Sequence, residues 1–204
     1  MNTFWQPGSG FIEVVCGSMF SGKTEELIRR VRRSLYARQK VRVFKPAIDR
    51  RYDDQDVVSH SSLRITSRPV ARAEDILVQT PPDVQVVGVD EGQFFEPELV
   101  DVCKELAGRG VRVIVAGLDQ DYLGRPFQTM AALMVEAEYV TKNLAICVVC
   151  GDPAHRNQRT AARGGRIVVG GADAYEARCR RCFRPDGAEP TPLFDAADEG
   201  TLGR

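Results

Sequence analysis

The sequence has no excess of either charge: 28 lysines and arginines stand against 28 aspartates and glutamates in 204 residues. A protein that coats nucleic acid or an anionic membrane by bulk charge needs a strong basic balance, so that class is excluded for the chain as a whole. Long apolar runs are missing too. Nothing approaches the roughly 20 apolar residues of a bilayer-spanning helix, although an apolar content of 43% suffices for a proper core. Met1 to Gly10 carry neither a basic start nor an apolar stretch, which predicts no secretory signal, a cytoplasmic location and no membrane partner. No internal repeat is visible beyond two short cysteine pairs. The length suits one domain of ordinary size, or a core domain with a small appendage.

What is present begins with an alternation of short apolar runs and helical stripes. Phe11 to Val15 reads as a buried strand that runs into a glycine loop. After Thr24 the spacing of Leu27, Ile28, Val31 and Leu35 predicts a helix with one apolar face, with Glu25 and Glu26 at the positive end of its dipole. Val41 to Phe44 predicts a second strand, ended by Lys45-Pro46, and residues 47 to 68 read as a polar loop. Val84 to Val89 predicts a third strand, Pro97 to Gly108 a helix with Leu99, Val102, Cys103 and Leu106 inward, Val111 to Ala116 a fourth strand and Met130 to Ala137 a helix. This order predicts an α/β fold, a parallel sheet flanked by helices. Composition changes after about Asn143, where Gly, Arg and Cys dominate. The expected division is an α/β core over 1–144, a small Gly-, Arg- and Cys-rich domain over 145–185 and a loose tail over 186–204.

Gly17-Ser18-Met19-Phe20-Ser21-Gly22-Lys23-Thr24 satisfies the P-loop pattern at every required position. Its glycines let successive backbone N–H groups turn inward around phosphate oxygens, and the following helix adds the positive end of its dipole. Lys23 is the residue to reach the β- and γ-phosphates, and Thr24 the hydroxyl ligand of Mg²⁺. The strand ending Val87-Gly88-Val89 delivers Asp90 to that Mg²⁺ shell. The ATP site is thus expected on residues 17 to 24 with Asp90, Glu91, Gly92 and Gln93. Glu91 suits either activation of water, as in an ATPase, or acceptance of a proton from a substrate hydroxyl, as in a kinase. Local chemistry leaves both open, beside a solvated loop acid.

Four of the six cysteines form two Cys-x-x-Cys pairs, Cys147/Cys150 and Cys179/Cys182, with 28 residues between them. That spacing suits one tetrahedral Zn²⁺ held by four thiolates. With every position filled by sulfur, the zinc is structural, and it stabilises a region too poor in apolar residues to fold alone. Cys16 and Cys103 lie in apolar contexts and read as packing residues. The ribbon carries Arg156, Arg159, Arg163, Arg166, Arg180, Arg181 and Arg184, so a nucleic-acid-binding ATPase is the rival from another class. Tyr175 and Phe183 are too few for a base-stacking platform, and the expectation is no nucleic-acid partner.

Taken in order, these parts resemble the zinc-containing cytosolic (type II) thymidine kinases of cellular organisms and poxviruses, over about residues 11 to 184. The resemblance rests on the P-loop octapeptide, Asp-Glu-Gly-Gln-Phe-Phe (90–95), Gly-Leu-Asp-x-Asp-Tyr-x-Gly-x-Pro-Phe (117–127), Gly-Gly-Ala-Asp-x-Tyr (170–175) and the cysteine pairs. It implies transfer of the ATP γ-phosphate to the 5′-hydroxyl of thymidine, with deoxyuridine as a lesser substrate, and it makes Glu91 the base. It implies a nucleoside pocket walled by Met19, Phe94, Leu118, Tyr122 and Phe127. A lasso of Arg166, Ile167, Val168, Val169 and Gly170 is to read the thymine edge through its backbone, with Tyr175 packing nearby. A loop containing Asp49, Arg51 and His60 corresponds to a mobile segment near the phosphates. The resemblance further implies a homotetramer inhibited by thymidine triphosphate. One departure stands out: the family often has Thr-Gln-Arg after the first knuckle, where this chain has Asn157-Gln158-Arg159.

Overall fold

The computed structural model describes residues 9–48, 56–58, 64–160 and 174–185. The first strand, β1 (Phe11–Gly17), is buried along its whole length and leads through the glycine loop into α1 (Lys23–Tyr36). Next come β2 (Val41–Pro46), an antiparallel pair β3 (Asp56–Val58) and β4 (Arg64–Thr66), and the edge strand β5 (Arg68–Val70). A short α2 (Glu74–Val78) precedes β6 (Val86–Val89); a 3-10 turn at Gly92–Phe94 and α3 (Glu98–Gly108) connect it to β7 (Arg112–Leu118). With α4 (Gln128–Glu136) and β8 (Tyr139–Asn143) the sheet is complete. Beyond it lie four short strands, β9 (Ala145–Ile146), β10 (Pro153–Ala154), β11 (Arg156–Arg159) and β12 (Tyr175–Arg178), paired β9 with β10 and β11 with β12.

The main sheet has six strands in the order β5-β2-β6-β7-β1-β8, and every pairing in it is parallel. Its central strands are buried on both faces, as parallel strands between helix layers must be. Alternation sorts them: Ile12, Val14 and Cys16 join Leu99, Val102, Cys103 and Leu106 of α3 and Met130 and Leu133 of α4 on one face. Val15, Val43, Val86, Ile114 and Ala116 pack against Leu27, Ile28 and Val31 of α1 on the other.

Most expected elements are found, and the departures have physical reasons. Both β1 and β7 run two residues further than expected, because Gly17 still pairs with Leu118. Leu35, expected inside, is 48% exposed; Ser34 is buried instead, its hydroxyl donating to Arg30 O and accepting from Arg112 Nη1. Lys45 and Pro46 lie within β2 rather than ending it. Pairing with β6 stops at Phe44↔Val89, so only β5 flanks Pro46, where a missing N–H is tolerated. The stretch 47–68, expected as a loop, contains β3, β4 and the start of β5. The edge strand β8 escaped sequence reading because its side chains are largely exposed and lack a buried-strand pattern.

One polar group is buried between α1 and the sheet. Glu13 accepts from Arg30 Nη1 at 2.5 Å and Arg112 Nε at 2.6 Å, while Arg30 also donates to Glu26 at 2.7 Å and Thr141 at 2.9 Å. Removing one partner from such a group leaves charges uncompensated. Glu13→Ala is therefore expected to lower unfolding free energy by about 2–3 kcal/mol in urea titrations. Glu26 adds a pH dependence. Hydrogen bonds from Arg29, opposed by burial and reinforced by Arg30, hold its carboxyl at about 2 against an ordinary 4.5. Its folded pKa is depressed, so its contribution is complete above pH 4.5 and fades as pH falls towards about 2. Stability measured against pH should fall less steeply across that window in Glu26→Gln.

Candidate active site

The phosphate loop is shaped by three residues with positive φ: Gly17 at 144°, Phe20 at 62° and Gly22 at 76°. Gly17 has no alternative, since a Cβ there would lie 2.2 Å from Asn143 O across the β1–β8 pairing. Gly22 caps α1, and Lys23 Nζ reaches back over the loop to Ser18 O at 2.6 Å. Such a loop presents backbone N–H groups inward with a cation above them, which is a phosphate cradle. Ser21 and Thr24 lie at the same turn, with Ser21 Oγ buried and without a hydrogen-bond partner among the described residues.

The acids at the end of β6 stand beside this loop. Thr24 Oγ1 donates to Asp90 Oδ2 at 3.2 Å, and Asp90 is buried. Hydroxyl and carboxylate oxygens at that distance form the hard donor set that suits Mg²⁺. Glu91 follows in the left-handed region, at φ 53°. Its carboxylate accepts from Gln93 Nε2, while Gln93 Oε1 accepts from Leu118 N at 2.8 Å. Gln93, expected among the ATP-binding residues, thus spans from β7 to Glu91 and orients it. Gly92 is buried where a Cβ would sit 2.8 Å from Val115 and 2.9 Å from Met130 Sδ. Phe94 N closes the turn onto Glu91 O, leaving its ring half-buried.

The loop after β7 is built by its own acids. Asp121 Oδ1 accepts from the N–H groups of Leu123 and Arg125, both at 2.9 Å, and Phe127 N donates to Asp119 O. Asp119 is buried, with Lys142 Nζ 2.6 Å from its carboxylate. Leu118, Tyr122 and Phe127 are half-buried here, and Phe127 also packs on the main core. Tyr122 lies under the Arg159 guanidinium at 3.8 Å, and Arg159 Nη2 donates to the hydroxyl of buried Tyr175 at 3.3 Å. Arg166, Ile167, Val168, Val169 and Gly170 lie outside the described residues, as do Asp49, Arg51, His60 and the tail 186–204. Thr160 N donates to Ala174 O at 3.0 Å, next to the β11–β12 pairing.

The ribbon faces the site. Arg156 Nη1 donates to Gln120 Oε1 at 2.5 Å, and its guanidinium stacks on Phe183. Asn157 joins two loops: its Oδ1 accepts from Met19 N at 2.7 Å and its Nδ2 donates to Gln120 O at 2.8 Å. Phe20 packs on the ribbon's small core of Ala145, Ala154, Ala177 and the cysteines. Arg156 and Arg159, which in the sequence raised the nucleic-acid-binding rival, are therefore engaged side chains. Their partners lie far away in sequence, and no local signal reports them.

Cys147, Cys150, Cys179 and Cys182 come together with all four sulfurs within 4.8 Å of one another. Burial, reinforced by the thiols of Cys150, Cys179 and Cys147, pushes Cys182 up to about 12. Cys147, against the raising effect of its own burial, is held at about 6 by backbone N–H groups at Cys179, Val149 and Cys150. Four thiols this close ionise together only around a cation, so the donor set fits a metal ion.

The family model described as thymidine kinase matches residues 10–183. The thymidine kinase of Rhodothermus sp. is 61% identical over 187 residues, covering 92% of this chain and 87% of that protein. Those of Bdellovibrio bacteriovorus and Bacteroides thetaiotaomicron are 56% identical over 182 residues and 52% identical over 174 residues. The matches cover 89% of this chain and 89% of the former protein, and 85% of this chain and 87% of the latter.

The cysteine geometry makes a direct prediction. Cys182→Ser should abolish stoichiometric metal in elemental analysis and lower the melting temperature, with β11 and β12 losing hydrogen-exchange protection before the sheet.

Proposed function

The chain belongs to the thymidine kinase family, and from that premise we infer that Glu91 is the base in its transfer of the ATP γ-phosphate to the 5′-hydroxyl of thymidine. The new bond joins the 5′-oxygen to the γ-phosphorus, the bond to the β-phosphate oxygen breaks, the hydroxyl proton goes to Glu91 and ADP leaves. The observation that carries this reading is the grip of Gln93 on Glu91 beside the Thr24–Asp90 pair. A carboxylate fixed next to a phosphate cradle is set for an acceptor hydroxyl.

The remaining roles follow from the chemistry of each group. Residues 17–24, with Lys23 over the loop, hold the triphosphate. Thr24 and Asp90 would hold Mg²⁺, which when bound neutralises charge on the β- and γ-phosphates. Cys147, Cys150, Cys179 and Cys182 would hold a structural Zn²⁺, since four thiolates leave no open position for substrate. Met19, Phe94, Leu118, Tyr122 and Phe127 wall the nucleoside site in this reading, with Tyr175 behind and 166–170 crossing the base. Deoxyuridine lacks only the thymine methyl and serves as a lesser substrate, because one methyl group discriminates weakly. The physiological role is pyrimidine deoxynucleotide salvage for DNA synthesis. Thymidine triphosphate unites the base and the triphosphate that the two half-sites accept, which supports feedback inhibition. The family resemblance supports a cytoplasmic homotetramer with the core over 1–144 and the ribbon over 145–185.

The native chain, supplied with ATP, Mg²⁺ and each deoxynucleoside in turn, is expected to form thymidine monophosphate fastest and to leave purine nucleosides untouched. Equal turnover of all four would sink the assignment. Glu91→Gln should retain ATP binding while kcat falls about 10²-fold or more; unimpaired turnover would remove Glu91 from the base role.

A further inference from the structure

Asn157 sits between the phosphate loop and the loop after β7. This side chain is 2% exposed, lies on β11 opposite Ala177, and uses both ends of its amide. A backbone N–H can only donate and a backbone carbonyl can only accept, so Met19 and Gln120 together dictate which end of the amide faces which. Met19 belongs to the phosphate loop. Gln120 belongs to the loop that carries Tyr122. Two residues along the same face of β11, Arg159 stacks on Tyr122, and Arg156 on the opposite side of Asn157 donates to Gln120 and Gly124 O.

We propose that Asn157 is a positioning residue that sets the distance between the phosphate loop and the acceptor wall, coupling γ-phosphate placement to nucleoside placement. The inference rests on the reading of residues 17–24 as the ATP site and of the Tyr122 loop as acceptor wall. Its physical basis is reach. Phosphoryl transfer depends on in-line approach, and a misplacement of about 1 Å can lower a rate about 10²-fold without loosening either substrate. Ser18 and Phe20 also meet the ribbon, through a long 3.4 Å hydrogen bond to Ala154 O and through apolar packing. Asn157 ties the phosphate loop to the acceptor loop through a single side chain, directly and at ordinary hydrogen-bond distances. A threonine at this position would offer one hydroxyl that can both accept and donate, over a shorter reach.

The test compares native chain, Asn157→Ala and Asn157→Thr, with kcat, both KM values, ATP affinity without nucleoside, and metal content measured on each. The expected result for Asn157→Ala is a fall in kcat of about 10- to 100-fold, with ATP affinity within about twofold of native and metal retained. Asn157→Thr should recover most of that kcat. A kcat within about twofold of native in Asn157→Ala, or a loss confined to the KM for thymidine, would overturn the inference. If Asn157→Ala loses its metal or unfolds, Asn157→Asp decides. It keeps the volume and the acceptor for Met19 but sets a carboxylate oxygen against Gln120 O, so a native kcat there overturns the proposal and a comparable fall with intact ATP affinity supports it. Absence of transfer by the native chain would sink the function itself; native transfer with an unimpaired Asn157→Ala sinks the inference alone.

Discussion

Parallel pairing of β1 with β7, and of β7 with β6, is the constraint on which the rest of the site depends. In a parallel sheet all strands end at one edge, so whatever follows each strand is delivered to the same place. The phosphate loop follows β1, Asp90 and Glu91 follow β6, and the Asp119–Phe127 loop follows β7. These segments are far apart in sequence, yet the register Gly17↔Leu118 and Val89↔Val115 makes them neighbours. The apolar strands and the buried faces of α1, α3 and α4 secure that register, because a slip of one residue would turn every inward side chain outward.

The ribbon solves a different problem. Its core consists of Ala145, Ala154, Ala177 and cysteines, far too little apolar surface to hold a fold by burial alone. A metal ion among the four thiols would supply the missing stability and let the ribbon act as a wall for the site. That wall is polar where it meets the loops: Asn157, Arg156 and Arg159 each have defined partners. A basic ribbon in isolation suggests nucleic acid. Here two of its arginines are committed to Gln120, Tyr122 and Tyr175, which turns this face towards the kinase site.

Much of this was legible in the sequence where the chemistry is local. The phosphate loop, the apolar stripes of α1 and α3 and the cysteine spacing are contiguous patterns, and each has its structural counterpart. What escaped depends on distant partners. Leu35 looked inward by periodicity, but Arg112, from a strand 78 residues away, makes Ser34 the buried residue. Strand β8 has no apolar signature, and only its pairing with β1 defines it. Asn157 was visible as a departure from the family pattern, while its partner Met19 lies 138 residues earlier and only the fold brings the two together.

Two of the three non-glycine residues with left-handed backbone among the described residues lie at this edge, the third being Arg38 after α1. Phe20 and Glu91 both occupy the left-handed region without being glycine, at a cost of about 1–2 kcal/mol each. Neither conformation persists unless its surroundings hold it. Phe20 is held by packing on the ribbon core, and Glu91 by Gln93, whose other end is fixed by Leu118 N. The phosphate loop is thus restrained by the ribbon, and the Glu91 carboxylate by Gln93 and β7. Loss of the ribbon would release Phe20 and the loop together, even with every phosphate-binding residue intact. The cysteine-bounded ribbon, which a metal ion would hold together, thereby bears on the shape of the phosphate cradle.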